Sequence, residues 1–456
     1  MKKGITMKRL LSTLLVAAML VSASACSGKA ATTDTTAKAD SAATTTKEAA
    51  AATTAAAETT ASAEPITLTM WSIATESDSF NPAYTKAIAD FEAAHPNIKI
   101  VHETFENESY KTKIKSAVAA NELPDIFYTW GGGFSKSFVE SGKVFALDDY
   151  YTDTYKAQLS TAALGNATYD GKLYGVTYTT PISLLYYNKA MFDKLGLKAP
   201  TTFDELKTVC QTFLDNGITP FGISVKDTWV TAMTHDALTL KSVGPEVLKS
   251  VLTKAGGSYD SADFLNADTK FMELVDMGAF IDGATGLSND EASAMFYDGT
   301  VPMYITGSWM GGSIMTDAAD PGDFDVAPIP VLNSATAKIT DFMGGAADTL
   351  MVAQSSPNKE AAAQAIFELS KSISMYAYLS GSGIPAWKVD YDESSVNAIT
   401  AKEAKLAANA TSFTLWFDTL MEADDAGEYL ADLQELYVGN MTPADFDKAM
   451  AAQLEG

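Results

Sequence analysis

Few side chains among these 456 residues could carry covalent chemistry. The histidines are His95, His102 and His235, and His235-Asp236 is the pair that could form a dyad. Chain neighbours do not face each other on a helix or a strand, so an ordinary surface pair is expected there. No G-x-S-x-G elbow, H-E-x-x-H, C-x-x-C or phosphate loop occurs. The cluster Asp317, Asp320, Asp323, Asp325 departs from the EF-hand spacing and contains Pro321, so it reads as a solvated turn. No metal or cofactor is expected, and no enzyme activity. Recognition chemistry is better represented. Six tryptophans occur, at 71, 130, 229, 309, 387 and 416. Trp130 precedes Gly131-Gly132-Gly133, and Trp309 sits inside MYITGSWMGG, residues 303–312. Glycine lets a ligand or a backbone come close to such a ring.

Charge narrows what could be recognised. The net charge is −25, which excludes nucleic acid. Arg9 is the only arginine. Carboxylates and phosphates are gripped best by a bidentate guanidinium, so a ligand without either group is favoured.

The first 26 residues place Lys2, Lys3, Lys8 and Arg9 before an apolar run from Leu10 to Val21, and then small residues. That is an export signal, too short to span a bilayer. Ala23-Ser24-Ala25-Cys26 resembles a bacterial lipobox, with Cys26 the lipid-attachment site; the alternative is ordinary cleavage after Ala25 and a soluble, secreted product. Cys210, on the apolar stripe Phe203, Leu206, Cys210, Phe213, is read as a buried, inert thiol. Residues 27–64 are nearly all Ala, Thr and Ser with a few charges. Nothing there could build a core, so a flexible tether of about 35 Å root-mean-square span is expected.

From residue 65 the pattern is regular. PITLTMW is strand-like, Tyr84, Ala87, Ile88 and Phe91 recur at helical spacing, and NIKIVHETF is a second strand. Another helix carries Tyr110, Ile114, Ala117 and Val118, and a strand runs from Ile126 to Trp130. Such a β-α-β-α-β rhythm argues for a doubly wound sheet that binds ligands beyond the carboxyl ends of its strands. Residues 175–189 form an apolar run too long for one small sheet, Thr202 and Glu205 make a capping box, and APIPVL at 327–332 reads as a late strand. The chain exceeds the size of a single core, so two lobes are expected.

The ordered set ADFEAAHPNIKI, ELPDIFYTWGGG, FYDGTVPMYITGSW, SPNKEAAAQAIFELS and GIPAW resembles the family 1 extracellular solute-binding proteins, the sugar receptors of ABC importers related to maltose-binding protein. The resemblance spans residues 65–456. It implies an α/β fold of two doubly wound lobes joined by a three-segment hinge, with a ligand cleft between them. The crossings are expected near 176–180, 328–332 and 371–375. Lobe 1 is then 65–178 with 331–374, and lobe 2 is 179–330 with 375–456.

The resemblance implies a carbohydrate ligand, a permease partner, a monomer, and membrane contact through the lipid only. A pyranose offers C–H faces that suit aromatic rings and a rim of hydroxyls that needs paired donors and acceptors. Trp309, Trp130, Gly131, Trp229 and Trp387 are the candidate platforms and their close-approach glycine. Trp71 and Trp416 are read equally as platforms or as core. Glu103 and Asn107 are read either as reaching the cleft or as part of a solvated helix start. Asp341 and Asp348 flank Gly344-Gly345, and Asp341 with Gly345 is preferred as the sugar contact. Asp125 is read as a turn residue. The alternatives are an anchored glycosidase and a lipoprotein that senses sugar without transport.

Overall fold

The computed structural model describes residues 64–455. The expected signal peptide with Cys26, and the tether up to residue 63, lie outside the described residues. Among the described residues no helix is long and apolar enough to cross a membrane.

The first sheet follows from period-two burial. In strand Ile66–Ser72 the side chains of Leu68, Met70 and Ser72 point inward. The strand pairs in parallel with Ile98–Thr104 and with Ile126–Trp130. Between them helix Asn81–Ala94 buries Tyr84, Ala87 and Phe91, and helix Asn107–Ala120 buries Tyr110, Ile114 and Val118. Strand Asp348–Val352 then joins antiparallel to Ile126–Trp130, and Gly175–Thr177 closes the edge. The carboxyl ends of the three parallel strands therefore open on one side. Asp125 ties this sheet together, accepting from Thr69 N (2.7 Å), Thr69 Oγ1 (2.8 Å) and Ser356 Oγ (2.5 Å).

The apolar run 175–189 divides as its length requires. Gly175–Thr177 stays in the first sheet, while Ser183–Asn188, buried throughout, becomes the centre of a second. Its neighbours Met303–Gly307 and Phe324–Ala327 are both antiparallel to it. The strand expected at 327–332 ends instead at Ala327, because Pro328 and Pro330 have no N–H to give a ladder. The two hydrophobic clusters are separate: Leu68, Phe127, Ile366 and Ile373 belong to one, Leu184, Phe213, Leu240 and Phe342 to the other. This is a pair of α/β lobes.

Three segments cross between them, side by side. The first is 178–182. Gly345 N donates to Pro181 O (2.8 Å) on one flank, and on the other Thr180 N donates to Ile384 O (2.9 Å) and Ala386 N to Tyr178 O (3.1 Å). The second and third crossings therefore differ from the expected 328–332 and 371–375. Ile329 and Phe342 pack in the lobe 2 core, and strand Asp341–Met343 pairs with Ser412–Thr414, so the chain crosses only at 344–347. Helix Lys359–Ser380 runs unbroken to Gly381 (φ 92°), so the third crossing follows that turn. The fully buried Lys241 fixes the approach to the second crossing, donating to the carbonyls of Lys338 (2.8 Å), Ile339 (3.0 Å) and Asp341.

His235 and Asp236 are not the surface pair expected. Helix Thr228–Val243 is buried on all sides from Val230 onward, so its polar side chains must find partners inside. His235 donates to Asp268 Oδ1 (2.7 Å) and to Tyr429 OH (3.0 Å), and Tyr429 OH donates to Asp236, which also accepts from Phe417 N (2.9 Å).

Burial alone would lower the His235 pKa, but the hydrogen bonds and charges of Asp236 and Asp268 raise it to about 9. Burial also raises the carboxyls of Asp236 and Asp447, and pushes Glu403 up to about 8. A raised folded-state pKa means that stability is fully present below the unfolded value and is lost as pH climbs through the folded value. Lys241, lowered to about 7 by burial, acts in the opposite sense but is a single group. The thermal midpoint should therefore fall between about pH 6.5 and about pH 9, the unfolded and folded values of His235, and His235→Gln should flatten that slope. Calorimetry showing a midpoint constant over this range would overturn the account.

Candidate functional site

Between the lobes lies a cavity of about 1450 Å³. Its lobe 1 wall is built at the strand ends. The loop 73–80 follows strand Ile66–Ser72, the start of helix Asn107–Ala120 follows Ile98–Thr104, and Trp130 ends the third strand. Glu106 caps that helix, accepting from the N–H groups of Glu108 (2.9 Å) and Ser109 (3.0 Å). The Trp130 ring is held edge-on between Tyr128 and Phe134, 5.0 Å from each by ring centroids. Lys111 Nζ stands 5.5 Å from its centroid.

At the hinge the lining is phenolic and acidic. Tyr84 OH donates to Tyr178 OH (3.0 Å). Asp348 accepts from Tyr128 OH (2.9 Å) and Thr179 Oγ1 (2.5 Å), joining the sheet to the first crossing. Burial raises its pKa against the pull of those two hydrogen bonds.

The lobe 2 wall carries three indoles. Trp229 opens helix Thr228–Val243, Trp309 precedes helix Met310–Asp317, and Trp416 precedes the short helix Phe417–Leu420. The ring centroids of Trp229 and Trp309 are 6.1 Å apart and those of Trp309 and Trp416 6.2 Å, at interplanar angles of 59° and 55°. Trp416 is fixed by a 2.7 Å hydrogen bond from Nε1 to Ser183 Oγ. The glycines around Trp309 serve packing. A Cβ on Gly307 would sit 2.1 Å from the Trp309 ring, so the indole can lie across this residue only because it is glycine. Gly311 and Gly312 let their helix press against Thr400 and Ser382. Beside this wall Thr306 Oγ1 is buried without a partner, and on the facing wall Asn107 Oδ1 is likewise unpaired.

Of the residues singled out from the sequence, Trp309, Trp130, Trp229, Trp416 and Asn107 line the cavity. The others lie elsewhere. Trp387 is in the lobe 1 core, donating to Ser370 Oγ (2.8 Å). Trp71 packs edge-on against Phe105 at 5.6 Å, with Lys113 Nζ 4.0 Å over its ring. Glu103 is exposed on its strand, away from the cavity. Asp341 closes a turn, accepting from Lys338 N (2.7 Å), Thr411 Oγ1 (2.6 Å) and Ser412 Oγ (2.8 Å). Its less favoured companion Asp348 is the one at the cleft. Gly345 (φ 131°) and Gly131 are backbone positions: a Cβ on Gly131 would meet Asn166 O at 2.7 Å. On Gly133 it would meet Met421 O at 2.1 Å, so the glycine run after Trp130 makes room for chain, not ligand.

Sequence reasoning missed Tyr84, Tyr128, Tyr178, Asp78 and Asn289-Asp290. Asp78 was accessible to it, in the loop right after the first strand, where the strand-end rule points. The tyrosines sit inside elements and look like core.

Comparisons with known proteins agree with this geometry. Residues 75–370 match the model of the bacterial extracellular solute-binding proteins. A binding protein of Brucella abortus is 27% identical over 294 residues, 64% of this chain and 69% of its own. The maltotriose-binding protein of Pyrococcus abyssi is 25% identical over 53% of this chain and 49% of its own. A solved structure concerned with xylan utilization by Caldanaerobius polysaccharolyticus superposes with a TM-score of 0.82 at 36% identity, over 85% of this chain and 99% of that one.

The packing of Trp309 on Gly307 is directly testable. Gly307→Ala should swing the indole away, changing the near-ultraviolet circular dichroism and tryptophan emission while the far-ultraviolet spectrum stays the same. Unaltered tryptophan spectra would show that the ring does not rest on Gly307.

Proposed function

Because the chain belongs to the bacterial extracellular solute-binding proteins, we propose that its cleft captures a neutral oligosaccharide by hinge closure and delivers it to the permease of an ABC importer. The observation that carries this is the run of three indoles along one wall of a two-lobe cleft, faced by Trp130 on the other. Angled rings can each meet a different sugar ring along a bent chain. Size supports the same reading, since about 1450 Å³ exceeds the roughly 300–1,000 Å³ of ordinary small-ligand pockets. The maltotriose-binding relative and the structure concerned with xylan make α-glucan and xylan fragments the first ligands to try. Ligand bridging both walls shifts the lobes toward the closed form, which is what a permease can read.

The test combines three measurements on xylo-, malto- and chito-oligosaccharides. Tryptophan fluorescence reports binding, small-angle scattering reports compaction, and chromatography reports whether the glycan survives. Binding with compaction and intact glycan is expected, and Trp309→Ala should weaken it about tenfold, some 1.4 kcal/mol from lost stacking and apolar burial. Glycan cleavage, or binding without compaction, would overturn the reading.

The mature protein works as a monomer, attached to the outer face of the membrane through a lipid on Cys26. This reading rests on Ala23-Ser24-Ala25-Cys26 following the apolar run. Cys26→Ser should move the protein from the membrane fraction to the medium; an unchanged distribution would rule the anchor out.

A further inference from the structure

The cleft is strongly acidic for a site that takes a neutral ligand. Carboxylates outnumber ammonium groups in its lining by ten to two. Of the two lysines, Lys111 is already engaged by Glu108 at 2.9 Å and Asp418 at 3.8 Å. No guanidinium is available anywhere in the described residues.

Two of these carboxylates stand on opposite walls. Asp78 lies in the lobe 1 loop after the first strand, and Asp290 in the first turn of helix Asn289–Tyr297 of lobe 2. Asp78 Oδ1 accepts from Phe80 N (2.8 Å), which leaves Oδ2 for the cavity. Burial pushes the Asp78 pKa up to about 7; the Phe80 N–H pulls against that shift, and the charges of Asp348 and Asp290 add to it. In the same lining the buried Thr306 Oγ1 has no partner in the chain, a vacancy that a ligand hydroxyl would fill.

We propose that Asp78 and Asp290 make the cleft select glycans by charge, admitting neutral and amine-bearing oligosaccharides and refusing those that carry a carboxylate. A sugar hydroxyl or ammonium can donate to either aspartate. A uronate or aldonate instead meets a lining in which carboxylates far outnumber ammonium groups, and no arginine offers it a bidentate grip. Refusal of this kind sets specificity by penalising the wrong ligand. The inference rests on the cleft being the oligosaccharide site.

The experiment uses one neutral parent that binds, from xylo-, malto- or chito-oligosaccharides, with its reducing end converted to three ring-opened forms: the neutral alditol, the 1-amino-alditol and the aldonate. Calorimetry at low salt should rank them amine, alditol, aldonate, with the aldonate at least tenfold weaker than the alditol. Asp290→Asn, at an exposed position that should fold normally, should close most of that gap, as should Asp78→Asn. Equal binding of alditol and aldonate, or a gap that persists in both variants, would overturn the proposal. If no neutral parent bound at all, the receptor reading itself would fail and this inference with it, a result distinct from parents that bind without discriminating charge.

Discussion

Everything that meets across the cleft depends on three backbone crossings hydrogen-bonded to one another. Residues 178–182 lie in the middle, held by Gly345 N on one side and by Ile384 O and Ala386 N on the other. Their closeness sets conditions on the chain. A Cβ on Gly344 (φ 120°) would fall 2.1 Å from Pro181 O, so both the conformation and the space there demand glycine. Asp348, at the head of a lobe 1 strand, adds a side-chain tie by accepting from Tyr128 in the sheet and Thr179 in the crossing. With each lobe carrying its own core, the crossings are the place where the lobes can change their relation at little packing cost.

Period and capping made much of the fold legible. The β-α-β-α-β start of lobe 1, the capping box of Thr202 and Glu205, and the burial of Cys210 follow from residues three or four apart. The placing of the second and third crossings did not, because it is decided by contacts distant in sequence. Lys241 grips carbonyls about a hundred residues away, and Asp341–Met343 pairs with a strand near the C-terminus. The prolines at 328 and 330 mark a break, but the chain continues in lobe 2 to Met343.

At the site the same distinction holds. Trp130, Trp229, Trp309 and Trp416 reach the cavity from the ends of strands or the starts of helices, positions that sequence can suggest. Trp387 follows a turn just as they do, yet it packs in the lobe 1 core against Tyr155 and donates to Ser370. Glycine beside tryptophan proved ambiguous for a physical reason. At Gly307 the missing Cβ makes room for the indole itself, and at Gly131 and Gly133 it makes room for backbone. In neither case does it make room for ligand.

Buried polar groups serve two ends here, according to whether they lie in a core or on the cavity wall. In lobe 2 the fully buried His235, Asp236 and Tyr429 bond to one another. That network welds helices together. Asp268 Oδ2 and Asp447 Oδ1 are buried without a partner, but neither lines the cavity. On the cleft walls Thr306 and Asn107 each bury an oxygen with nothing to bond. An unmet group of this kind costs about 1–3 kcal/mol, a cost that brings no packing benefit to the empty protein and is recovered when a hydroxyl-bearing ligand enters. Residue type alone cannot distinguish the two cases, since histidine, aspartate, threonine and asparagine serve both. Position relative to the cavity does, and it is fixed only when the chain has folded.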